Sequence, residues 1–205
     1  MQLYCTKGTI SVAVALALHE AGIEHRLVRV DFASAEQTRD PYLQINPKGR
    51  VPALELDDGT VLTETGALLE YIADIAPAAR VVPEDPAAAA RMRGVMYYLA
   101  STMHVAHAHK MRGSRWADNQ SSFDDMTAKV PQTMDACAAF VEDHCLLGDY
   151  VAGEAFSIAD AYLYIVCNWL EGDGVSVTKY PKINGFLDRM AERDSVKAAR
   201  DAGLL

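Results

Sequence analysis

Over residues 1–76 the chain alternates short apolar runs with helical patterns, and beyond residue 86 no convincing strand pattern returns. This switch constrains the fold most, because period-2 runs need sheet partners while period-3.6 runs need a helix or sheet face to cover. Residues 2–5 read as a strand and residues 6–8 as a break. Residues 11–20 are dense in Ala, Val and Leu, with Gly22 placed to end a helix that is buried on most of its surface. Residues 26–32 read as a second strand. Residues 34–45 are polar with weak helical character until Asn46-Pro47 breaks them. Val51–Leu56 alternates, and Val61-Leu62 follows an Asp-Gly turn, which predicts a β-hairpin. Residues 65–75 place Leu68, Leu69 and Ile72 on one helical face.

The predicted order is β-α-β-α-β-β-α, followed by helices only. Residues 77–86 contain three prolines without periodicity and read as a linker. Long helical patterns follow at 87–111, 119–144 and 157–170, with shorter ones at 181–193 and 195–202. The fold class is therefore α/β plus all-α: a first domain over 1–76, a linker over 77–86 and an all-helical domain over 87–205.

The formal net charge of −9 argues against nucleic-acid binding, which needs a positive footprint. No apolar stretch reaches the roughly 18 residues that span a bilayer, so no membrane partner is expected. The N-terminus opens into a strand without a secretory leader, which makes the cytoplasm the default location. Cys5, Cys137, Cys145 and Cys167 show no CxxC spacing and read as reduced thiols. Cys5, at a strand end, is either a reactive thiol or a small buried hydrophobe. His104, His107 and His109 lack cysteine or carboxylate partners at ligand spacing, so no metal is expected.

Three motifs carry a resemblance: Asn46-Pro47-Lys48-Gly49-Arg50-Val51-Pro52, Thr63-Glu64-Thr65-Gly66-Ala67-Leu68, and Gly153-Glu154-Ala155-Phe156-Ser157-Ile158-Ala159-Asp160. In this order and spacing the chain resembles the cytosolic glutathione S-transferases along nearly its whole length. Its opening, LYCTKGTIS, is most similar to the bacterial beta-like group. The resemblance implies a thioredoxin-like first domain and conjugation of the thiolate of reduced glutathione, as co-substrate, to small hydrophobic electrophiles. It also implies a homodimer. Alternatives are a glutathione-dependent reductase or isomerase, and a non-catalytic glutathione-binding scaffold.

The resemblance further implies that Pro52 is cis and that Val51 pairs its backbone with the cysteinyl unit of glutathione. Glu64 would hold the γ-glutamyl ammonium, and Thr65, at a helix start, the γ-glutamyl carboxylate. Arg50, then Lys48, are candidates for the glycyl carboxylate. Beta-like relatives carry a cysteine at the position of Ile10, so a mixed disulfide is excluded there, and Ile10 contributes backbone to the glutathione site. A free thiol has a pKa of about 8.5 and needs a donor to ionise at neutral pH. The candidates are the hydroxyl of Thr9, then that of Ser11, then backbone N–H groups at the helix start. Both hydroxyls equally suit helix capping. Tyr4 ranks lower, on the expectation that it turns to the core if Cys5 faces the site. By resemblance His104 lines the electrophile site, with Tyr97, Met103, Met111 and Trp116 as pocket candidates. Ser157 and Asp160 form the S-x-x-D pattern of a capping box and serve folding.

Overall fold

A computed structural model describes residues 1–205. The chain divides into two compact units, Met1–Glu84 with Ala191–Leu205, and Asp85–Met190. The C-terminal segment, expected from the sequence to stay with the helices before it, belongs to the first unit.

The first unit holds β1 (Gln2–Cys5), α1 (Ser11–Glu20), β2 (Arg26–Arg29), a short α2 (Tyr42–Ile45), β3 (Ala53–Glu55), β4 (Val61–Thr63), α3 (Thr65–Ile75) and, from the chain's end, α9 (Asp194–Asp201). The four strands form one sheet in the order β2-β1-β3-β4. β1 and β2 are parallel, which the intervening helix permits, and β3 and β4 form the antiparallel hairpin predicted at Asp58-Gly59. β3 also runs antiparallel to β1, with Tyr4 opposite Ala53, and Ala53 in turn opposite Thr63. The end of β1, the start of β3 and the end of β4 therefore lie at one end of the sheet.

Strand alternation sorts β1 by face. Leu3 and Cys5 are fully buried, together with Leu54 of β3. α1 lies against β1, α3 and α9. With neighbours on several sides, Ser11 through Leu18 are all buried, which explains an almost entirely apolar helix. Tyr4 and Tyr42 belong to a second cluster with Val30 and Val51.

α9 is tied to α1 by an ion pair with little exposure. Arg193 makes two hydrogen bonds to the Glu20 carboxylate, at 2.7 and 2.6 Å, and the Ser195 hydroxyl donates to it at 2.5 Å. Burial disfavours the ionised Glu20 carboxyl, but these bonds outweigh burial and hold it below the usual range. α9 ends in a Schellman motif: Leu204 N–H donates to Ala199 O and Gly203 N–H to Arg200 O, with Gly203 at φ +67°.

The second unit contains α4 (Pro86–Tyr98), α5 (His104–Ala108), α6 (Gln120–Phe140), α7 (Ile158–Asn168) and α8 (Pro181–Ala191). Asp85 caps α4 by accepting from Ala88 N–H at 2.7 Å. α4 and α5 form one run, joined by a wide i→i+5 turn over Leu99–Met103 that resets the helix phase just before His104. α7 is buried from Ile158 to Cys167. Its capping box is present: Asp160 accepts from Ser157 N–H and Oγ–H, each at 2.7 Å. The other Asp160 oxygen accepts from Val151 N–H at 2.8 Å, so one buried carboxylate joins the helix start to the preceding loop.

Replacing Arg193 by Ala leaves the Glu20 carboxylate enclosed without its cation, and is expected to lower unfolding free energy by roughly 2–3 kcal/mol, read from the urea midpoint. Because the folded Glu20 pKa is depressed, its contribution is present above the unfolded carboxyl value of about 4.3. That contribution is lost as pH falls through the lower folded value. Glu20→Gln should flatten this part of the acid-stability profile. Asp160→Ala, which strips three donors of one acceptor, should cost about 3 kcal/mol and melt the helical unit first, as seen by hydrogen exchange.

Candidate glutathione and electrophile sites

At the end of the sheet where β1 stops, residues 6–10 turn into α1 through a closed set of hydroxyl contacts. Thr6 Oγ1–H donates to Val30 O at 2.7 Å, anchoring the turn on the segment after β2. Thr9 Oγ1–H donates to Thr6 O at 2.8 Å, and Thr9 Oγ1 lies 2.7 Å from Ser11 Oγ. Ser11 Oγ accepts from Thr6 N–H at 3.1 Å and reaches Thr6 O at 3.3 Å. Each hydroxyl has a single proton. With Thr9 donating to Thr6 O, Ser11 donates to Thr9; if Ser11 instead takes over the Thr6 carbonyl, the Thr9 proton is released to turn outward. Ser11 is fully buried and has no surface to offer a ligand, whereas Thr9 is half-buried. As direct donors the two hydroxyls are therefore not equivalent. Ile10 is buried beside them, and at the start of α1 Val12 N–H donates to Thr9 O and Ala13 N–H to Ile10 O, each at 3.1 Å.

The conditional expectation for Tyr4 and Cys5 is reversed. Cys5 lies in the core, where burial pushes its thiol pKa up. Tyr4 is on the opposite face, its hydroxyl donating to Glu55 at 2.7 Å and its ring edge-on to Tyr42 at 5.9 Å. Burial, then the Glu55 contact, raises its pKa and keeps its proton in place. Neither group is positioned to attack or to activate a thiol in the Thr6–Ile10 turn.

The peptide from Val51 to Pro52 is cis, and both residues are buried. The turn before them is held from inside. Asn46, 1% exposed, donates through Nδ2 to Arg50 O at 2.6 Å, and its Oδ1 accepts from Lys48 N–H at 3.2 Å. Tyr42 Oη–H donates to the same Arg50 carbonyl at 2.6 Å; burial pushes the Tyr42 pKa up to about 12. Gly49 has φ +62°, and a Cβ there would lie 2.9 Å from Gln37 O, so glycine is required on two counts. Asn46 and Tyr42 act on the site by holding the backbone immediately before Val51. The sequence showed Asn46 as a helix breaker; its buttressing role depends on a carbonyl brought round by the turn.

Glu64 occupies a left-handed conformation, φ 73°, just before α3. Non-glycine residues hold such angles where the surroundings over-determine them, often at binding sites. Its carboxylate accepts from Lys48 Nζ at 2.5 Å, and Lys48 also donates to Thr63 Oγ1 at 2.7 Å. Lys48 therefore lies on the carboxylate that a ligand ammonium would use. Thr65, 7% exposed, opens α3, whose first N–H groups have no intrahelical acceptor. Arg50 is exposed, with its backbone carbonyl engaged inward. By strand register, the Thr6–Ile10 turn, Val51-Pro52 and Glu64-Thr65 share one end of the sheet.

In the helical unit the expected pocket residues scatter. Met103 is fully buried among the helices, so it packs the core and lines no open pocket. Tyr97 and Met111 are 72% and 84% exposed, and Trp116 lies edge-on to His109 at 4.5 Å. His104 packs against Trp169, ring centroids 5.0 Å apart, with Nδ1 3.4 Å from Tyr162 Oη. His107 stacks on the same indole. Trp169 thus packs against both imidazoles, and Asp173 Oδ2 lies 2.6 Å from His107 Nδ1. The available signal was their spacing, His107 one turn beyond His104 and Asp173 one turn beyond Trp169.

The fold and the one-ended array of loops define a thioredoxin-like ligand-binding unit joined to an all-helical one. The family model "Glutathione S-transferase, N-terminal domain" matches residues 10–75, and "Glutathione S-transferase, C-terminal domain" matches residues 103–194. Glutathione S-transferase GstA of Escherichia coli O157:H7 is 31% identical over 204 residues, covering 98% of each chain. A Sulfitobacter glutathione transferase homologue solved with bound glutathione is 67% identical, with a TM-score of 0.99 over 100% of this chain and 98% of its own. The beta class glutathione S-transferase of Sphingomonas chungbukensis is 31% identical, with a TM-score of 0.86 over 100% of both chains. The chain belongs to the glutathione S-transferase family.

Asn46→Ala should leave the sheet intact but loosen the Arg50 carbonyl. A rise of about tenfold in the glutathione Kd, with an unchanged urea m-value, is expected by calorimetry.

Proposed function

We propose that this chain binds reduced glutathione at the Thr6–Ile10, Val51-Pro52 and Glu64-Thr65 end of its sheet and transfers the thiolate to a small hydrophobic electrophile. The observation that carries the reading is the convergence of these three loops on one edge, with Val51 before a cis proline and α3 opening at Thr65. Glutathione offers a peptide backbone, two carboxylates and an ammonium. Val51 supplies the backbone pairing, Thr65 and the α3 N-terminus a carboxylate site, and Glu64 the ammonium partner. Lys48 exchanges from Glu64 to the glycyl carboxylate as the ligand ammonium arrives, with Arg50 as the neighbouring cation. Ile10 contributes backbone only.

Thiolate formation falls to Thr9, with the buried Ser11 orienting it and the α1 N–H groups adding positive potential. His104 faces the electrophile. Of the pocket candidates, Tyr97, Met111 and Trp116 have exposed surface for a hydrophobic ligand, and Met103 serves as backing. Reduction through Cys5 is disfavoured by its burial and its raised pKa. The chain acts as a homodimer in the cytoplasm. No helix is long and apolar enough to cross a membrane.

Calorimetric titration with reduced glutathione tests the binding half; saturable one-site binding is expected. Glu64→Ala should weaken it by about 1.5–3 kcal/mol, roughly ten- to hundredfold in Kd. Thr9→Ala should reduce the ultraviolet thiolate absorbance of bound glutathione with little change in Kd, and Thr9→Ser should restore it. Binding with no thiolate in the unaltered protein would instead favour a non-catalytic scaffold.

A further inference from the structure

Beyond α9 the chain docks back on its own unit through the backbone. Three successive carbonyls accept hydrogen bonds from that unit. Arg29, the last residue of β2, donates through its guanidinium to Ala202 O and, at 3.2 Å, to Gly203 O. Gly8 N–H, in the turn between β1 and α1, donates to Leu204 O at 2.9 Å. Leu204 is itself 1% exposed. Carbonyls at a helix end lack intrahelical donors, and an arginine can hold the last of them. Arg29 directly precedes Val30, whose carbonyl accepts from Thr6 Oγ1–H at 2.7 Å. Adjacent residues at the end of β2 therefore hold the turn from two sides, Val30 directly and Arg29 through the tail. Gly8 has φ +69°, and a Cβ there would meet nothing within 4 Å, so close packing does not restrain it. As a glycine it has the greatest conformational freedom in the turn, and it is the residue that the tail pins.

We propose that the Ala202–Leu204 tail is a positioning element for the thiolate site, with Arg29 as the residue that clips it in place. By fixing Gly8, the tail holds the neighbouring Thr9 hydroxyl in the direction that the glutathione sulfur needs. This rests on the reading that glutathione binds at the Thr6–Ile10 turn and that Thr9 donates to its sulfur. Thr9 donates to Thr6 O at 2.8 Å, and its proton turns outward when Ser11, 3.3 Å from the same carbonyl, takes that place. A hydrogen bond weakens steeply as its angle falls toward about 120°. A turn free to rotate about Gly8 would spread the hydroxyl over directions that miss the sulfur. The peptide and carboxylates of glutathione are held by other segments, Val51 and the start of α3. The tail therefore bears on ionisation of the thiol and leaves affinity nearly unchanged.

The test compares Arg29→Met, Arg29→Lys and Leu204→Ala with the unaltered protein. Three quantities are read: hydrogen exchange of the Gly8 amide, the Kd of reduced glutathione, and the pH titration of the thiolate absorbance of bound glutathione. Arg29 is exposed, so Arg29→Met leaves the core untouched. Arg29→Met and Leu204→Ala should each speed Gly8 exchange by about tenfold and raise the apparent thiol pKa by about one unit, with Kd within about twofold. Arg29→Lys, which keeps a donor for the tail carbonyls, should stay near the unaltered protein. Unchanged Gly8 exchange in both variants, or faster exchange with an unmoved thiol pKa, would overturn the assignment. A thiol shift in Arg29→Met but not in Leu204→Ala would trace the effect to the arginine charge and overturn it too. So would a loss of affinity as large as the thiol shift, which would make the tail a general support of the site. All of these outcomes leave the glutathione reading standing. No glutathione binding by the unaltered protein would remove that reading, and the role of the tail with it.

Discussion

The proposed glutathione site depends on the register of three short strands. Tyr4, Ala53 and Thr63 lie side by side across β1, β3 and β4, so three segments distant in sequence meet at one sheet edge. A slip of one residue would turn Leu3, Cys5 and Leu54 out of the core and separate the loops. The register is held by what covers the buried face. α1 is enclosed by β1, α3 and α9, and the Glu20–Arg193 pair keeps α9 in place. Stability of the fold and geometry of the site are the same problem in this unit.

Each unit uses polar groups in pairs, one hidden and one available. Ser11 is buried under Thr9, Asn46 is buried under the Lys48–Val51 turn, and Asp173 is buried under His107. In each case the hidden group spends its hydrogen bonds on the backbone or on the partner and determines where the available group points. A buried acceptor or donor tolerates little displacement, because an unmade bond in the interior costs about 1–3 kcal/mol. The available groups thereby gain orientation without each being buried.

Much of the fold was legible in sequence for reasons that act locally. The Asp58-Gly59 turn, the apolar run of α1, the S-x-x-D box at Ser157 and the breaker at Asn46-Pro47 all work within a few residues. Element ends were less legible: β2 stops at Arg29, short of Phe32, and the weak helix of residues 34–45 is reduced to a turn and Tyr42–Ile45. Met103, Tyr97 and Met111 show the limit on the site side. An apolar side chain on a helix reads alike whether it faces a core, a pocket or water, and only the packing separates Met103 from the exposed Tyr97 and Met111.

By itself the sequence determined the class of each half, the motif-bearing segments and the exclusion of cysteine chemistry at Ile10, because these follow from local periodicity, turn chemistry and residue identity. Tertiary structure decided the rest. It buried Cys5 and set Tyr4 on the opposite face, returned Ala191–Leu205 to the first unit, and paired Lys48 with Glu64. It also joined His107 to Asp173. Each of these joins or separates groups by strand register or helix packing, and such long-range contacts leave no periodic trace in the chain that makes them.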